Sequence, residues 1–303
     1  MSTPPAGGHH DSGYLLGVGL VLVAGICLST GGVLLRTVEA ADGWQILFYR
    51  SFTFLFTLLC YLCVVYRGRL VAPFRAIGWQ GLVAAVALGV GFSCYVFGML
   101  LTTVANLVFL LATGPFFAAG LAWLLLGERV ARVALLAMCA AAAGIGLMVA
   151  DGLSTGRLLG SLIGLGAPIT FAILVLVVRG RPQVDMMPAT CLAGLVSLLI
   201  AVVMLDDFAI SGRDLVLCLL LGSVQVGAGF LLITLGARHV PSAEVPLFAL
   251  TETVLAPIWV WLAIDEVPSV LTLTGGAAVL AAVAVAGLAG LRARPPAVAG
   301  KGP

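Results

Sequence analysis

Apolar residues run along this chain in long blocks, and the short gaps between the blocks hold most of the charge. A bilayer core about 30 Å thick needs about 20 residues at 1.5 Å each, so the blocks are long enough to cross it as helices. They predict ten helices, near 14 to 35, 44 to 66, 77 to 100, 103 to 126, 131 to 150, 158 to 178, 187 to 205, 214 to 236, 242 to 264 and 269 to 291. The expected fold is therefore an all-α polytopic membrane protein. Residues 1 to 13, "MSTPPAGGHHDSG", are polar and rich in Gly and Pro, and read as a disordered tail. No basic region or cleavage pattern precedes the first block, which reads as a retained anchor. Residues 292 to 303 form a second tail.

Composition agrees with that pattern. Of 303 residues 62% are hydrophobic and 9% charged, against about 45–50% and about 25% in soluble domains. A net charge of +2 with scattered basic residues gives no footprint for nucleic acid. All seven cysteines lie inside apolar blocks, where a thiol behaves as a small hydrophobe. Cys60 and Cys63 share a C-x-x-C spacing, but no His or acid stands near enough to complete a metal site. No metal or cofactor is expected.

The basic residues fix an orientation, because positively charged loops stay on the cytoplasmic side. With the N-terminus inside, Arg67, Arg69, Arg75, Arg129, Arg132, Arg179, Arg181, Arg238, Arg292, Arg294 and Lys301 are cytoplasmic. Only Arg36, Arg157 and Arg213 fall outside. Both tails are then cytoplasmic, which places the chain in a plasma or inner membrane.

The chain also repeats itself. A shift of 138 residues lays "VALGVGFSCYVFG" (86 to 98) on "VQVGAGFLLITLG" (224 to 236). It continues through "ANLVFLLATGPFFAAGLAWLLLGE" (105 to 128) and "AEVPLFALTETVLAPIWVWLAIDE" (243 to 266), with Trp123 on Trp261 and Glu128 on Glu266. Earlier helices align at a shift of 143, with Arg36 on Arg179. The halves are 14 to 150 and 151 to 291, each of five helices. Five is odd, so the second half enters the membrane reversed, giving an inverted repeat suited to alternating access.

Two segments carry a family resemblance: "LLATGPFFAAGLAWLLLGERV" (110 to 130) and "LTETVLAPIWVWLAIDEVPS" (250 to 269). They resemble the proline-containing helix ending in Gly-Glu-Arg of EamA-type transporters in the drug/metabolite transporter superfamily. "FYRS" (48 to 51) is similar too. Asp265 stands where the family usually has Gly, and Val267 where Arg is common. The resemblance implies a ten-helix carrier of small organic metabolites, often an exporter of amino acids or related compounds. Uptake of a vitamin-sized neutral or aromatic compound is the alternative. No motif of a protease, hydrolase, nucleotide or calcium site points to an enzyme.

Charges inside a bilayer are costly, so the few that lie there mark candidate sites. Glu128 and Glu266 recur at matched helix ends and read as scaffold. Arg50, Glu244 and Glu252 map instead onto Ala193, Asn106 and Gly114, so the repeated fold does not need them. Arg50 lies about 9 Å from one face and Glu252 about 15 Å from the other, so their Cα atoms differ by about 6 Å along the normal. The spacing predicts that they share a cavity and pair directly, through water or through substrate. Whether Glu252 couples transport to protons depends on that pairing. Glu244, Phe248, Glu252, Leu255 and Trp259 share a helix face. Gln225 replaces Ala87, Tyr95 stands between Gly91 and Gly98, and Ser29, Thr30 and Thr170 add hydroxyls. The glycines of these stripes read as close helix packing. Pro115 and Pro257 predict kinks in the fourth and ninth helices.

Overall fold

Backbone that crosses a bilayer must satisfy its own hydrogen bonds, and the apolar blocks meet that demand as helices. The computed structural model describes residues 8–127, 131–240 and 245–292, with side chains over 13–127, 131–240 and 250–289. Among the described residues there are helices and no strand. The first crossing is Gly8–Ser29 continued by Gly31–Arg36, the second Gly43–Val65 and the third Gly78–Leu101. The fourth is Val104–Leu111 continued by Gly114–Leu126, the fifth Arg132–Ser154, the sixth Leu158–Gly180 and the seventh Met187–Met204. The eighth joins Gly212–Leu220, Leu221–Ala228 and Gly229–Gly236, and Val245–Ile264 and Val270–Arg292 complete the ten. A short helix, Val71–Ala76, lies between the second and third. Glu244 and Glu128 lie outside the described residues.

The first helix starts at Gly8, inside the stretch expected to be a tail. The last prolines there are Pro4 and Pro5, and no proline between residue 8 and Ser29 removes a backbone donor. Pro115 departs from expectation in a different way. The fourth crossing breaks at Ala112 and Thr113, and Pro115 sits in the first turn of the resumed helix, where its missing N–H is harmless. The ninth runs through Pro257 as one helix.

Packing follows the repeat. The third crossing lies on the sixth as the eighth lies on the first; the seventh contacts the third as the second contacts the eighth. The fourth meets the sixth as the ninth meets the first, and the fifth and tenth pair with each other. On the axis of this exchange the second and seventh crossings touch through Ser51 and Ser197, whose buried hydroxyls are 2.9 Å apart. The molecule is thus two five-helix repeats of opposite direction. Gly98 packs on Gly164, and Gly236 on Val21 and the Gly17 carbonyl, so these glycines serve helix contact in both halves.

Ten crossings return the chain to its starting side, here called the terminus face. At the opposite, far face, Glu266 accepts from the Val104 amide (2.7 Å) and pairs with Arg36 (3.0 Å). Arg36 also donates to the Thr102 carbonyl. Asp214 accepts from the amides of Glu39, Ala40 and Ala41 at 2.9 to 3.2 Å, tying the first connection to the eighth crossing. Beneath these ties lies an apolar cluster that includes Leu35, Leu47, Val96, Met99, Leu107, Leu221 and Val260.

Candidate functional site

Arg50 enters the protein interior about two helical turns below the far face. Its crossing begins with a capping box: the Asp42 side chain accepts from the Trp44 and Gln45 amides, and the Gln45 side chain accepts from the Asp42 amide. Arg50 is 2% exposed. Its guanidinium carbon lies 5.0 Å from the centre of the Tyr95 ring and 5.4 Å from that of Phe92. Such contacts attract a cation but do not replace a carboxylate. Nε is buried without a hydrogen-bond partner, and no ion pair reaches Arg50 among the described residues.

Backbone packing brings the eighth crossing to this charge. A Cβ on Gly222 would stand 2.1 Å from the Arg50 carbonyl oxygen and 1.9 Å from Thr53 Oγ1, so only glycine fits. The helix then widens into a π segment, Leu221–Ala228, which carries Gln225. Gln225 is 1% exposed, and its Nε2 donates to the Leu28 carbonyl (3.3 Å). The Tyr95 hydroxyl and Gln225 Nε2 close over Gly31, where a Cβ would meet them at 2.5 and 2.8 Å. Gln225 Oε1 is a second buried polar atom left unpartnered.

The first crossing is interrupted beside these groups. Ser29 and Thr30 donate their hydroxyls to the Ile26 and Cys27 carbonyls, both at 2.7 Å. Such back-bonding competes with the helical ladder. The ninth crossing closes the break through Trp259, whose Nε1 donates to Ser29 Oγ (3.0 Å). Glu252 lies two turns further along the same helix, half-buried, with no hydrogen bond or ion pair among the described residues. Its backbone packs by Gly25, and its charge reaches Tyr95.

The direct Arg50 to Glu252 ion pair is not formed. From the far ends of their helices, Gly43 and Ile264, Arg50 is about 10 Å deep and Glu252 about 18 Å deep. The Arg50 side chain lies along the two rings instead of spanning that offset. Tyr95 stands within electrostatic reach of both charges. Arg50, Tyr95 and Gln225 are brought together, with Ser29 and Thr30 beside them. Thr170 is not: it donates to the Gly166 and Ala167 carbonyls and packs on Gly91.

Phe92 and Gly31 belong to the cluster and were not singled out by the sequence. Phe92 was legible in principle, since it lies three residues from Tyr95 on one helix face. It also begins a row of edge-to-face rings: Phe54 at 5.0 Å, Phe230 at 6.1 Å, and Phe171 a further 6.5 Å beyond Phe230.

The sequence profile of the EamA-like transporter family matches residues 15–150 and 156–288, one copy for each five-helix half. The chain belongs to the EamA-like transporter family. A solved structure titled only as a crystal structure of a protein shares the fold, with a TM-score of 0.63 over 94% of this chain and 99% of that one, at 18% identity. No curated protein matches significantly. The transporter is therefore a multi-pass membrane protein for small molecules, and its polar centre lies between its two repeats.

Proposed function

We propose that this transporter is an alternating-access carrier that exports or equilibrates small amino-acid-like metabolites across a plasma or inner membrane. The observation that supports it is Arg50, a buried guanidinium without a carboxylate partner. An unpaired charge in the interior costs several kcal/mol, and an arriving carboxylate offsets that cost through charge-assisted hydrogen bonds. The open acceptor of Gln225 and the partnerless Glu252 suit the ammonium group of the same solute. The Arg distribution in the connections supports cytoplasmic termini.

Uptake of a neutral or aromatic vitamin-sized compound is the second reading, favoured by the row of rings from Phe92 to Phe171. Purified protein in liposomes, screened with labelled amino acids and vitamins, separates the two. Counterflow, in which unlabelled solute on one side accelerates labelled flux from the other, distinguishes a carrier from a channel. Arg50→Gln is expected to lower transport of carboxylated solutes by about 100-fold, the weight of a charged hydrogen-bond pair. Equal transport by Arg50→Gln and the parent would rule out the amino-acid reading.

Proton coupling through Glu252 belongs to the same proposal. Glu252→Gln is expected to flatten the pH dependence of transport, and an unchanged profile would remove Glu252 from the coupling path.

A further inference from the structure

On the terminus face, away from the polar centre, a cavity of about 700 Å³ opens between the end of the second crossing and the connection from sixth to seventh. Tyr66, Arg67, Arg69, Pro73, Gln183 and Asp185 are among the residues that line it. The chain turns here through two successive left-handed residues, Arg67 (φ 51) and Gly68 (φ 78), with the Gly68 amide donating to the Cys63 carbonyl. That turn sets both arginines on the rim. Asp185 accepts from the Tyr66 hydroxyl (2.8 Å) with one carboxylate oxygen and from the Met187 amide (2.9 Å) with the other. The acid closes the wall, and among the described residues neither Arg67 nor Arg69 has an ion-pair partner.

The surroundings identify the occupant. Val64 is 78% exposed, and Val71 and Trp79 are each 72% exposed. Val64 lies at the end of the second crossing, Val71 opens the short connecting helix and Trp79 begins the third crossing, at the level where exposed apolar side chains face acyl chains and Trp marks the head groups. Val64 and Val71 adjoin the lining residues Val65 and Ala72, and Trp79 follows Ala76 by three residues, so apolar surface borders the cavity. A ligand spanning both is anionic at its head and apolar below. We infer that this cavity is a binding site for the phosphodiester head group of an anionic phospholipid, held by Arg67 and Arg69 with its chains along Val64, Val71 and Trp79. Arginine suits the role because its fork matches phosphate oxygens. The site is independent of the solute that crosses the central cluster.

The test uses the full-length protein in phosphatidylcholine vesicles titrated with brominated phosphatidylglycerol, which quenches nearby Trp fluorescence. A component of the quenching is expected at a mole fraction about tenfold below that for brominated phosphatidylcholine. That component should vanish in Trp79→Phe, which identifies its location. It should also vanish in the double variant R67Q/R69Q and weaken without vanishing in R67K/R69K, which keeps the charges but not the forks, while quenching by brominated phosphatidylcholine stays unchanged and reports intact insertion. Absence of a phosphatidylglycerol-selective component, or its survival in R67Q/R69Q, overturns the site. Displacement by excess inorganic phosphate overturns the lipid as occupant in favour of a soluble anion.

Discussion

The third crossing carries Ala84 and Ala87 where the eighth carries Gly222 and Gln225. The third is one uninterrupted α-helix, whereas the eighth widens into a π segment at those positions. Both lie on their partners in the same way, the third on the sixth and seventh, the eighth on the first and second. The repeat therefore dictates which helices touch, and local departures from it dictate what the contact can do. Gly222 lets the Arg50 backbone approach, and the wider turn presents Gln225. π segments recur at functional sites for this reason: they aim a side chain that a regular helix would not.

The comparison can be broken most strongly at Gly222. Gly222→Ala places a methyl against the Arg50 carbonyl and Thr53 hydroxyl, and is expected to destabilise the protein by about 1–3 kcal/mol through overpacking. The matched change Ala84→Gly adds no atom to a contact; it loses backbone order and one buried methyl, at about 1–2 kcal/mol. Thermal unfolding in detergent compares them, and equal losses would mean that the two helices are held alike. Next in size is Glu266→Ala, which leaves the Val104 amide without its acceptor and Arg36 without its carboxylate. A loss of about 1–2 kcal/mol is expected, and a melting temperature equal to the parent's would remove the far-face tie from the account.

The smallest effect sharpens the comparison of helix ends. Gly127 closes the fourth crossing with φ 65, and Asp265, its counterpart in the repeat, adopts φ 54. Aspartate visits this left-handed region at a cost that glycine avoids. Asp265→Gly is expected to raise stability by about 0.5–1 kcal/mol, again read by thermal unfolding. The departure from the family pattern at Asp265 is thus a substitution in sequence with the backbone shape retained.

These elements also mark what a sequence can disclose. Spans and parity were legible because hydropathy acts along the chain, so the ends of Gly43–Val65 or Leu158–Gly180 needed no knowledge of neighbours. Depth was legible from residue count, but it is one coordinate of three. It put Arg50 and Glu252 at compatible heights and could not tell that the guanidinium would lie on Phe92 and Tyr95. Proline positions were visible, yet the break at Thr113 and the one at Thr30 depend on hydroxyls bonding back to Leu110 and Cys27. The π segment depends on packing between distant crossings, and no local motif announces it.

The Asp214 tie links helices that are made far apart in time. The amides of residues 39 to 41 are separated by 173 to 175 residues from the carboxylate that accepts them. At the ordinary pace of synthesis that interval is about 10–35 s. During it the second through seventh crossings are made while the first connection at the far face stays open. The first repeat is therefore not a finished unit that the second merely joins, and its assembly waits on the chain's own later half.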